Sequence, residues 1–174
     1  MKTTIKLLTS TLMGFSVLVS YSTGAMAQQL CQSNGTPSTP SQRFNDHGDG
    51  TVTDHTTGLM WKKCLEGQQG SSCFGKPQLY SWTLANQQAN TNQHDRFAGF
   101  SEWRLPTLTE LESIIETQCT NPAANLHIFP GTPAAGLWSG DDADPNAWSV
   151  DFSKGVAYPV LKAGGKFVRL VRNP

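Results

Sequence analysis

The chain has 174 residues, in which 13 basic side chains balance 13 acidic ones and hydrophobic residues make up 37%. This length suits a single domain with a core of its own, and the balanced charge argues against a nucleic-acid-binding surface. After residue 27, no apolar stretch approaches the roughly 20 residues that a membrane-spanning helix needs.

The first 27 residues have the pattern of a secretory signal peptide. Lys2 and Lys6 precede an apolar run, and Ala25 and Ala27 are the small residues that signal peptidase requires. Cleavage after Ala27 leaves 147 residues with 11 basic and 13 acidic side chains, a net charge of −2. We therefore expect an exported protein, periplasmic or extracellular, without membrane insertion after cleavage.

Mature protein recovered from the periplasm is accordingly expected to begin at Gln28. The reason is that no better pair of small residues follows Ala25 and Ala27. Intact mass measurement tests this, and a mass that corresponds to any other first residue would contradict it.

Residues 28–42 are rich in Ser, Thr, Pro and Gln and lack periodicity, which is typical of a tether. The domain proper is expected at residues 43–174. It begins with a predicted β-meander, because β-forming segments alternate with glycine-containing turns. These segments are Arg43–Phe44, Thr51–Thr53 and Leu59–Lys62. The spaced acids Asp46, Asp49 and Asp54 do not fit the ligand spacing of an EF-hand, so turn-forming roles are predicted for them.

Two helices are predicted further along the chain. The first is capped by Ser81 and extends to about Asn90. The second begins with a capping box, in which the side chains of Thr107 and Glu110 each bind the other residue's backbone N–H. The apolar stripe of this helix consists of Leu108, Leu111, Ile114 and Ile115. The glutamates expected to point away from the stripe are Glu110, Glu112 and Glu116.

The C-terminal part is strand-rich. Its predicted strands are Leu137–Ser139, Ala147–Phe152, Val156–Leu161 and Phe167–Arg172. The last of them carries apolar residues on both faces, which favours a central, covered strand. Two helices and about seven short strands in this order predict the α+β class.

All four cysteines lie after the predicted cleavage site, and an even number behind a signal peptide indicates disulfides. Three pairings are possible. We predict Cys64 with Cys73, which lie nine positions apart in a glycine-containing loop, and Cys31 with Cys119, which would join the tether to the end of the second helix. Zinc binding is disfavoured, because neither C-x-x-C nor H-x-x-x-H spacing occurs.

The chain resembles the Lcl C-terminal domain in the segment WRLPT (Trp103 to Thr107), in the helix that follows it and in the terminal Val-Arg-Leu-Val-Arg. This domain is a bacterial extracytoplasmic module named from a collagen-like adhesin. Further segments that resemble this family are GDGTVTDHTTGLMWKKC (Gly48 to Cys64), YSWTLANQQAN (Tyr80 to Asn90), IFPGTP (Ile128 to Pro133), LWSG (Leu137 to Gly140) and AWSVDF (Ala147 to Phe152). The resemblance implies a C-type-lectin-like fold with mainly antiparallel strands. It also implies a binding module for adhesion or surface recognition, with glycans as one ligand class.

Two other kinds of function stay open beside this one. A periplasmic structural or accessory subunit of an envelope assembly would use the same rigid scaffold and its loops to bind a protein. An enzyme is disfavoured, because the sequence contains neither G-x-S-x-G nor H-E-x-x-H and no phosphate-cradling glycine loop. We therefore predict no catalytic residue.

The most acidic window, Gly140–Ala147, is the predicted centre of the ligand surface. Within it, Asp144-Pro145-Asn146 resembles the acid-Pro-Asn triplet with which C-type lectins hold calcium and sugar. The predicted ligand-binding residues are Trp138, Asp141, Asp142, Asp144, Asn146 and Trp148, and calcium, if bound, would use Asp141 and Asp144. The two tryptophans would stack on a sugar face if they are exposed. The alternative is a solvated turn between two core tryptophans.

Overall fold

The computed structural model describes residues 28–173, apart from the side chains of residues 92–95. The predicted signal peptide lies outside these residues. The helices are α1 (Trp82–Asp95) and α2 (Leu108–Glu112), and short 3-10 turns span Ser41–Arg43 and Phe97–Gly99. The strands are β1 (Leu30–Cys31), β2 (Phe44–Asp46), β3 (Thr51–Asp54), β4 (Met60–Lys62), β5 (Cys119–Thr120), β6 (Gly136–Ala143), β7 (Asn146–Asp151), β8 (Val156–Leu161) and β9 (Val171–Arg172).

These strands form three sheets with the orders β1-β5, β2-β3-β4-β9 and β6-β7-β8. All pairings between the named strands are antiparallel. The α+β class is thereby confirmed, with two helices as predicted. Within residues 28–173, no helix is long and apolar enough to span a membrane.

The predicted meander is confirmed as β2, β3 and β4, and its acids form the turns. The Oδ1 atoms of Asp46, Asp49 and Asp54 each accept a hydrogen bond from the backbone N–H two residues further on, at 2.9–3.0 Å. Such Asx turns hold the chain reversals through bonds between the carboxylates and the backbone. Asp54 also binds the guanidinium of Arg43, whose Nε lies 2.7 Å from Oδ1.

The β6-β7-β8 sheet is covered on both faces. Leu137 and Val150 share one apolar cluster with Leu111 of α2, whereas Trp138 and Ala147 share another with Ala85 of α1. Because successive strand residues point to opposite faces, each of these strands contributes to both clusters. The sheet is therefore the central layer, with one helix on each side.

Both helix starts are confirmed. The Ser81 hydroxyl accepts from the N–H of Leu84 at 3.4 Å, and α1 continues five residues beyond the predicted end. At α2, the Glu110 N–H donates to the Thr107 hydroxyl at 3.2 Å, while the Glu110 carboxylate accepts from the Thr107 N–H at 2.8 Å.

The second helix is shorter than its apolar stripe predicts, because α2 ends at Glu112. Beyond it, Ile115 pairs with Ala124 in an isolated β-bridge, so the chain has already left the helical path. The prediction for Glu116 is wrong for the same reason. Its side chain does not point outward from a helix but is buried, with 4% of the residue exposed.

The expected last strand, Phe167–Arg172, is also different from its prediction. Regular pairing is limited to β9, which occupies an edge of the four-stranded sheet. The preceding residues bind both larger sheets, since the N–H of Trp138 donates to the carbonyl of Phe167 and the N–H of Lys62 to that of Leu170, both at 3.0 Å. The segment is covered as predicted because it joins two sheets rather than lying in the middle of one.

The predicted disulfide pairing is confirmed. Cys31 is bonded to Cys119, and Cys64 is bonded to Cys73. The first bond ties β1 to β5, and the second closes the glycine-containing loop after β4. Two disulfides fit a protein of an oxidising, extracytoplasmic compartment.

Replacing the cysteines of each bond with serine is expected to destabilise the protein unequally. The bonds span 88 and nine positions. In the loop-entropy account, the long cross-link contributes about 4 kcal/mol to the free energy of unfolding and the short one about 3 kcal/mol. Urea denaturation of the Cys31→Ser, Cys119→Ser variant beside the Cys64→Ser, Cys73→Ser variant measures the difference. A larger loss in the second variant would contradict the prediction.

Candidate functional site

The window predicted as a ligand loop, Gly140–Ala147, is instead a β-hairpin. Strand β6 continues through the acids to Ala143, and β7 starts at Asn146, so only Asp144 and Pro145 form the turn. The register shifts between Trp138 and Asp142, which marks a β-bulge or similar irregularity. The prediction of a loop is wrong here, because each acid has a partner on the folded chain.

Strand alternation divides the predicted site between two faces of the sheet. Asp142 is paired with Ala147, whose side chain lies in the cluster on the α1 side. Asp141 and Trp148 are the chain neighbours of this pair, so their side chains point to the α2 side. The six predicted residues therefore do not form one continuous surface.

Asp141 binds the second helix. Its Oδ2 atom accepts a hydrogen bond from the backbone N–H of Leu108, the first residue of α2. A carboxylate at this position satisfies one of the free N–H groups at the helix start. The observed role of Asp141 is thus to attach the hairpin to α2.

Asp142 and Asp144 are held by one lysine. The Nζ atom of Lys162 lies 2.8 Å from Asp142 Oδ1 and 2.9 Å from Asp144 Oδ1, and 5.0 Å from the ring centroid of Trp82. The hydrogen bond from Lys162 lowers the pKa of Asp142, and the same bond raises the pKa of Lys162. Both aspartates are strongly exposed, so the cluster is a solvated surface ion pair.

The two tryptophans of the hairpin differ in exposure. Trp138 is fully buried, and its Nε1–H donates to the carbonyl of Tyr80 at 2.7 Å, so its prediction as a sugar-stacking residue is wrong. Trp148 and Asn146 are half-buried and keep part of their side chains at the surface. The ligand-binding roles of Trp148 and Asn146 stay predictions.

No group of three or more His, Cys, Asp or Glu side chains is placed to hold a metal ion in the described part of the chain. Asp141 is bound to α2 and Asp144 to Lys162. The calcium site at these two residues stays a prediction without geometric support.

A cleft that the sequence reading did not foresee lies between the N-terminal residues and the region around β5. We call it the N-terminal cleft; it encloses about 510 Å³. The residues that line it include Gln29, Gln32, Pro37, Thr39, Pro40, Ser41, Gln42, Glu116, Gln118, Asn125, Leu126 and His127. A volume of this size is typical of a small-ligand site.

The base of the N-terminal cleft is fixed by Glu116. One carboxylate oxygen accepts from the backbone N–H of Ser38 and of Gln118, and the other from the N–H and hydroxyl of Thr39, at 2.9–3.1 Å. Burial raises the pKa of Glu116, but the hydrogen bonds from Gln118, Thr39 and Ser38 outweigh it, so the pKa is lowered. These bonds hold residues 38 and 39 against the domain.

Asn125 fixes the other wall of the cleft. Its Nδ2 donates to the Thr39 carbonyl at 2.7 Å and to the Ser41 hydroxyl at 3.1 Å. Its Oδ1 accepts from the backbone N–H of His127 at 3.0 Å. Both walls are thus joined by direct hydrogen bonds, which favours a preformed cleft.

The rim of the N-terminal cleft carries polar side chains that, unlike Glu116 and Asn125, are not engaged in hydrogen bonds within the described part of the chain. Gln32, Gln42 and His127 are exposed and line the opening. Within residues 28–173, their side chains form no hydrogen bond to another part of the protein. These groups are available to a ligand without breaking any bond of the described fold.

A second cavity of about 380 Å³ lies between the β2–β3 turn and the Cys64–Cys73 loop. Lys62 and Glu66 line it as a buried ion pair, with Nζ and Oε1 2.6 Å apart, and Nζ lies 4.1 Å from the ring centroid of Phe97. Lys62 belongs to β4 and Glu66 to the loop after it, so their ion pair, together with the contact of Lys62 with Phe97, holds this loop against the four-stranded sheet.

Sequence reasoning missed the N-terminal cleft because its walls are about 80 positions apart in the chain. Ser38-Thr39 follows Pro37 in a segment without periodicity, where hydroxyl residues usually bond to neighbouring backbone groups rather than to a distant acid. Nothing local identifies Glu116 as that acid, since the helical pattern assigns it to the solvent side.

Fold and cleft together define a disulfide-linked α+β module that presents a ligand-sized opening. The family model of the Lcl C-terminal domain matches residues 50–172, and the chain belongs to this family of bacterial adhesin-like extracytoplasmic modules. The predicted family is thereby confirmed. Comparison with curated proteins finds no significant match.

Proposed function

We propose that this protein is an exported binding module that recognises a component of a cell or envelope surface, with glycans as the first ligand class. One observation carries the proposal. The N-terminal cleft has the volume of a small-ligand site, a base fixed by hydrogen bonds, and a rim of unoccupied amide and imidazole groups. Family membership supports an extracytoplasmic recognition role.

We also propose that the fold is C-type-lectin-like. Two helices, short antiparallel sheets and a disulfide that ties β1 to β5 support this assignment. Such a scaffold hosts many functions, so the recognition site must be argued from its own residues.

Binding rather than catalysis is the proposed mode of action. A general acid or base needs a titratable group free to exchange a proton with a ligand. In the N-terminal cleft, Glu116 is the one carboxylate, and it is already bound to Ser38, Thr39 and Gln118. His127 is the other titratable side chain among the described residues of the lining, so the cleft offers no pair of free acid and base groups. A carboxylate held in this way serves as a structural acceptor.

Labelled mature protein should bind to intact cells or to an envelope fraction, and periodate oxidation of the surface glycans should abolish that binding. Protease treatment of the same surface is the control. Loss after protease alone would favour an accessory subunit that binds an envelope protein. Absence of binding to every surface and to every protein in a pull-down from envelope extract would overturn the proposed function.

A further inference from the structure

We propose that the N-terminal cleft binds a neutral saccharide, in preference to an acidic or sulfated one. This inference rests on the proposed function, since it names the ligand class and the site for the same recognition role.

The charge of the cleft disfavours an anionic ligand. Glu116 is the one Asp, Glu, Lys or Arg side chain among the residues that line it. A sulfate or carboxylate group would enter beside this negative charge without a lysine or arginine to pair with. Anionic groups are usually recognised by arginine or lysine, and an unpaired charge in a partly buried site is costly.

A cationic ligand is also disfavoured. The carboxylate oxygens of Glu116 accept hydrogen bonds from Ser38, Thr39 and Gln118, so a ligand cation would compete with all of these donors. Breaking such charge-assisted bonds removes what holds residues 38–39 in place. The cleft therefore suits an uncharged ligand.

The rim supplies the groups that a neutral sugar needs. The side-chain amides of Gln32 and Gln42 each offer a donor and an acceptor, and adjacent ring hydroxyls offer the complementary pair. His127 adds a third polar group to the opening. Since these side chains are exposed and bind no other part of residues 28–173, a sugar replaces only water.

Part of the cleft lining is apolar. Pro37, Pro40 and Leu126 line the cleft, and each keeps part of its surface accessible. A sugar ring presents a C–H face as well as hydroxyls, so it can cover such a surface while its hydroxyls reach the amides. Neutral and acidic sugars both gain from this contact, so the charge of the cleft decides between them.

Gly35 lies against the side-chain amide of Gln118, which also lines the cleft. A Cβ atom added to Gly35 would lie 1.5 Å from Oε1 of Gln118, so any larger residue must displace the wall or this side chain. The bond between Cys31 and Cys119 anchors the same wall from the other end. Gly35→Val therefore provides a variant that changes the cleft without touching the rim amides.

The test is a binding measurement with matched pairs of sugars. Mature protein is titrated with maltotriose, chitotriose and lactose, and with 3′-sialyllactose and a heparin tetrasaccharide as acidic counterparts. At least one neutral sugar is expected to bind, and the affinity for either acidic sugar should be at least tenfold lower. The Gln32→Ala, Gln42→Ala variant should weaken that binding at least tenfold. The control Gln87→Ala, Asn90→Ala removes two exposed amides from α1 and should change it less than twofold.

Each other outcome overturns the inference in a recognisable way. Neutral binding that survives Gln32→Ala, Gln42→Ala and Gly35→Val places the site elsewhere and leaves the proposed function intact. Binding of the acidic sugars alone reverses the ligand class. If no sugar binds while a protein from envelope extract does, the saccharide inference fails and the accessory-subunit function replaces it.

Discussion

Replacing Glu116 with alanine is expected to lower the free energy of unfolding by about 3 kcal/mol. The carboxylate is buried and accepts hydrogen bonds from Ser38, Thr39 and Gln118. Bonds to a charged group contribute about 1.5–3 kcal/mol each but are not additive, and the buried Thr39 N–H would lose its partner. Urea denaturation at pH 7 measures the loss.

Glu112→Ala is the matched control, because Glu112 is an exposed glutamate four positions earlier. Its substitution should change the free energy of unfolding by no more than about 0.5 kcal/mol. Equal effects of Glu112→Ala and Glu116→Ala would contradict the role assigned to Glu116. Glu116→Gln keeps the shape of the side chain and should lie between the two.

The effect of Glu116 also depends on pH. Its pKa in the folded protein is lowered, so the unfolded chain takes up the proton first as the pH falls. The stability that Glu116 contributes is fully present above the pKa of about 4.3 in the unfolded chain, and it is lost as the pH falls through the pKa of Glu116 in the folded protein. The difference between wild type and Glu116→Ala should therefore be largest at neutral pH and decrease below about pH 4. A difference that stays constant down to pH 2 would contradict this.

Local patterns predicted the elements of the fold where the deciding interactions are local. The Thr107–Glu110 capping box, the Ser81 cap and the Asx turns at Asp46 and Asp54 all join residues at most four positions apart. Their geometry follows from the sequence alone. The number of cysteines limits the pairings to three, and the short spacing of Cys64 and Cys73 in a glycine-containing loop led to the observed one.

The candidate site was predicted less well, because its properties depend on distant contacts. The acidic window reads as a loop, yet Asp141 binds α2 and Asp142 binds Lys162, which lies 20 positions further on. These partners extend the hairpin and separate Asp141 from Asp142 on opposite faces of the sheet. The burial of Trp138 depends on α1 in the same way.

Replacing Arg169 with alanine is expected to lower the free energy of unfolding by about 4 kcal/mol. This arginine is fully buried. Its guanidinium donates hydrogen bonds to the carbonyls of Lys62 and Lys63 and to the Thr132 hydroxyl. It also lies 4.6 Å from the ring centroid of Phe129. Alanine would leave these acceptors without a donor and create a cavity. Chemical denaturation of the mature protein provides the measurement.

Arg169→Met separates the two causes of this loss. Methionine fills much of the volume but donates no hydrogen bond, so the loss should be about 2 kcal/mol, which corresponds to the unpaired acceptors alone. Arg172→Ala, in the same C-terminal segment but half-exposed, is the control and should cost less than about 1 kcal/mol.

The burial of Arg169 itself opposes the stabilisation. No carboxylate forms an ion pair with this guanidinium within residues 28–173, and burial lowers its pKa to about 9. Removing such a charge recovers its desolvation cost, which in other buried sites can equal the value of the bonds. If Arg169→Met were as stable as the wild type, the recovered desolvation cost would equal the stabilisation lost with the hydrogen bonds. We nevertheless expect a net loss of stability. The carbonyls of Lys62 and Lys63 lie at the end of β4, where the C-terminal segment joins the two larger sheets. They stay buried when the guanidinium is gone, so they lose a partner that water does not replace.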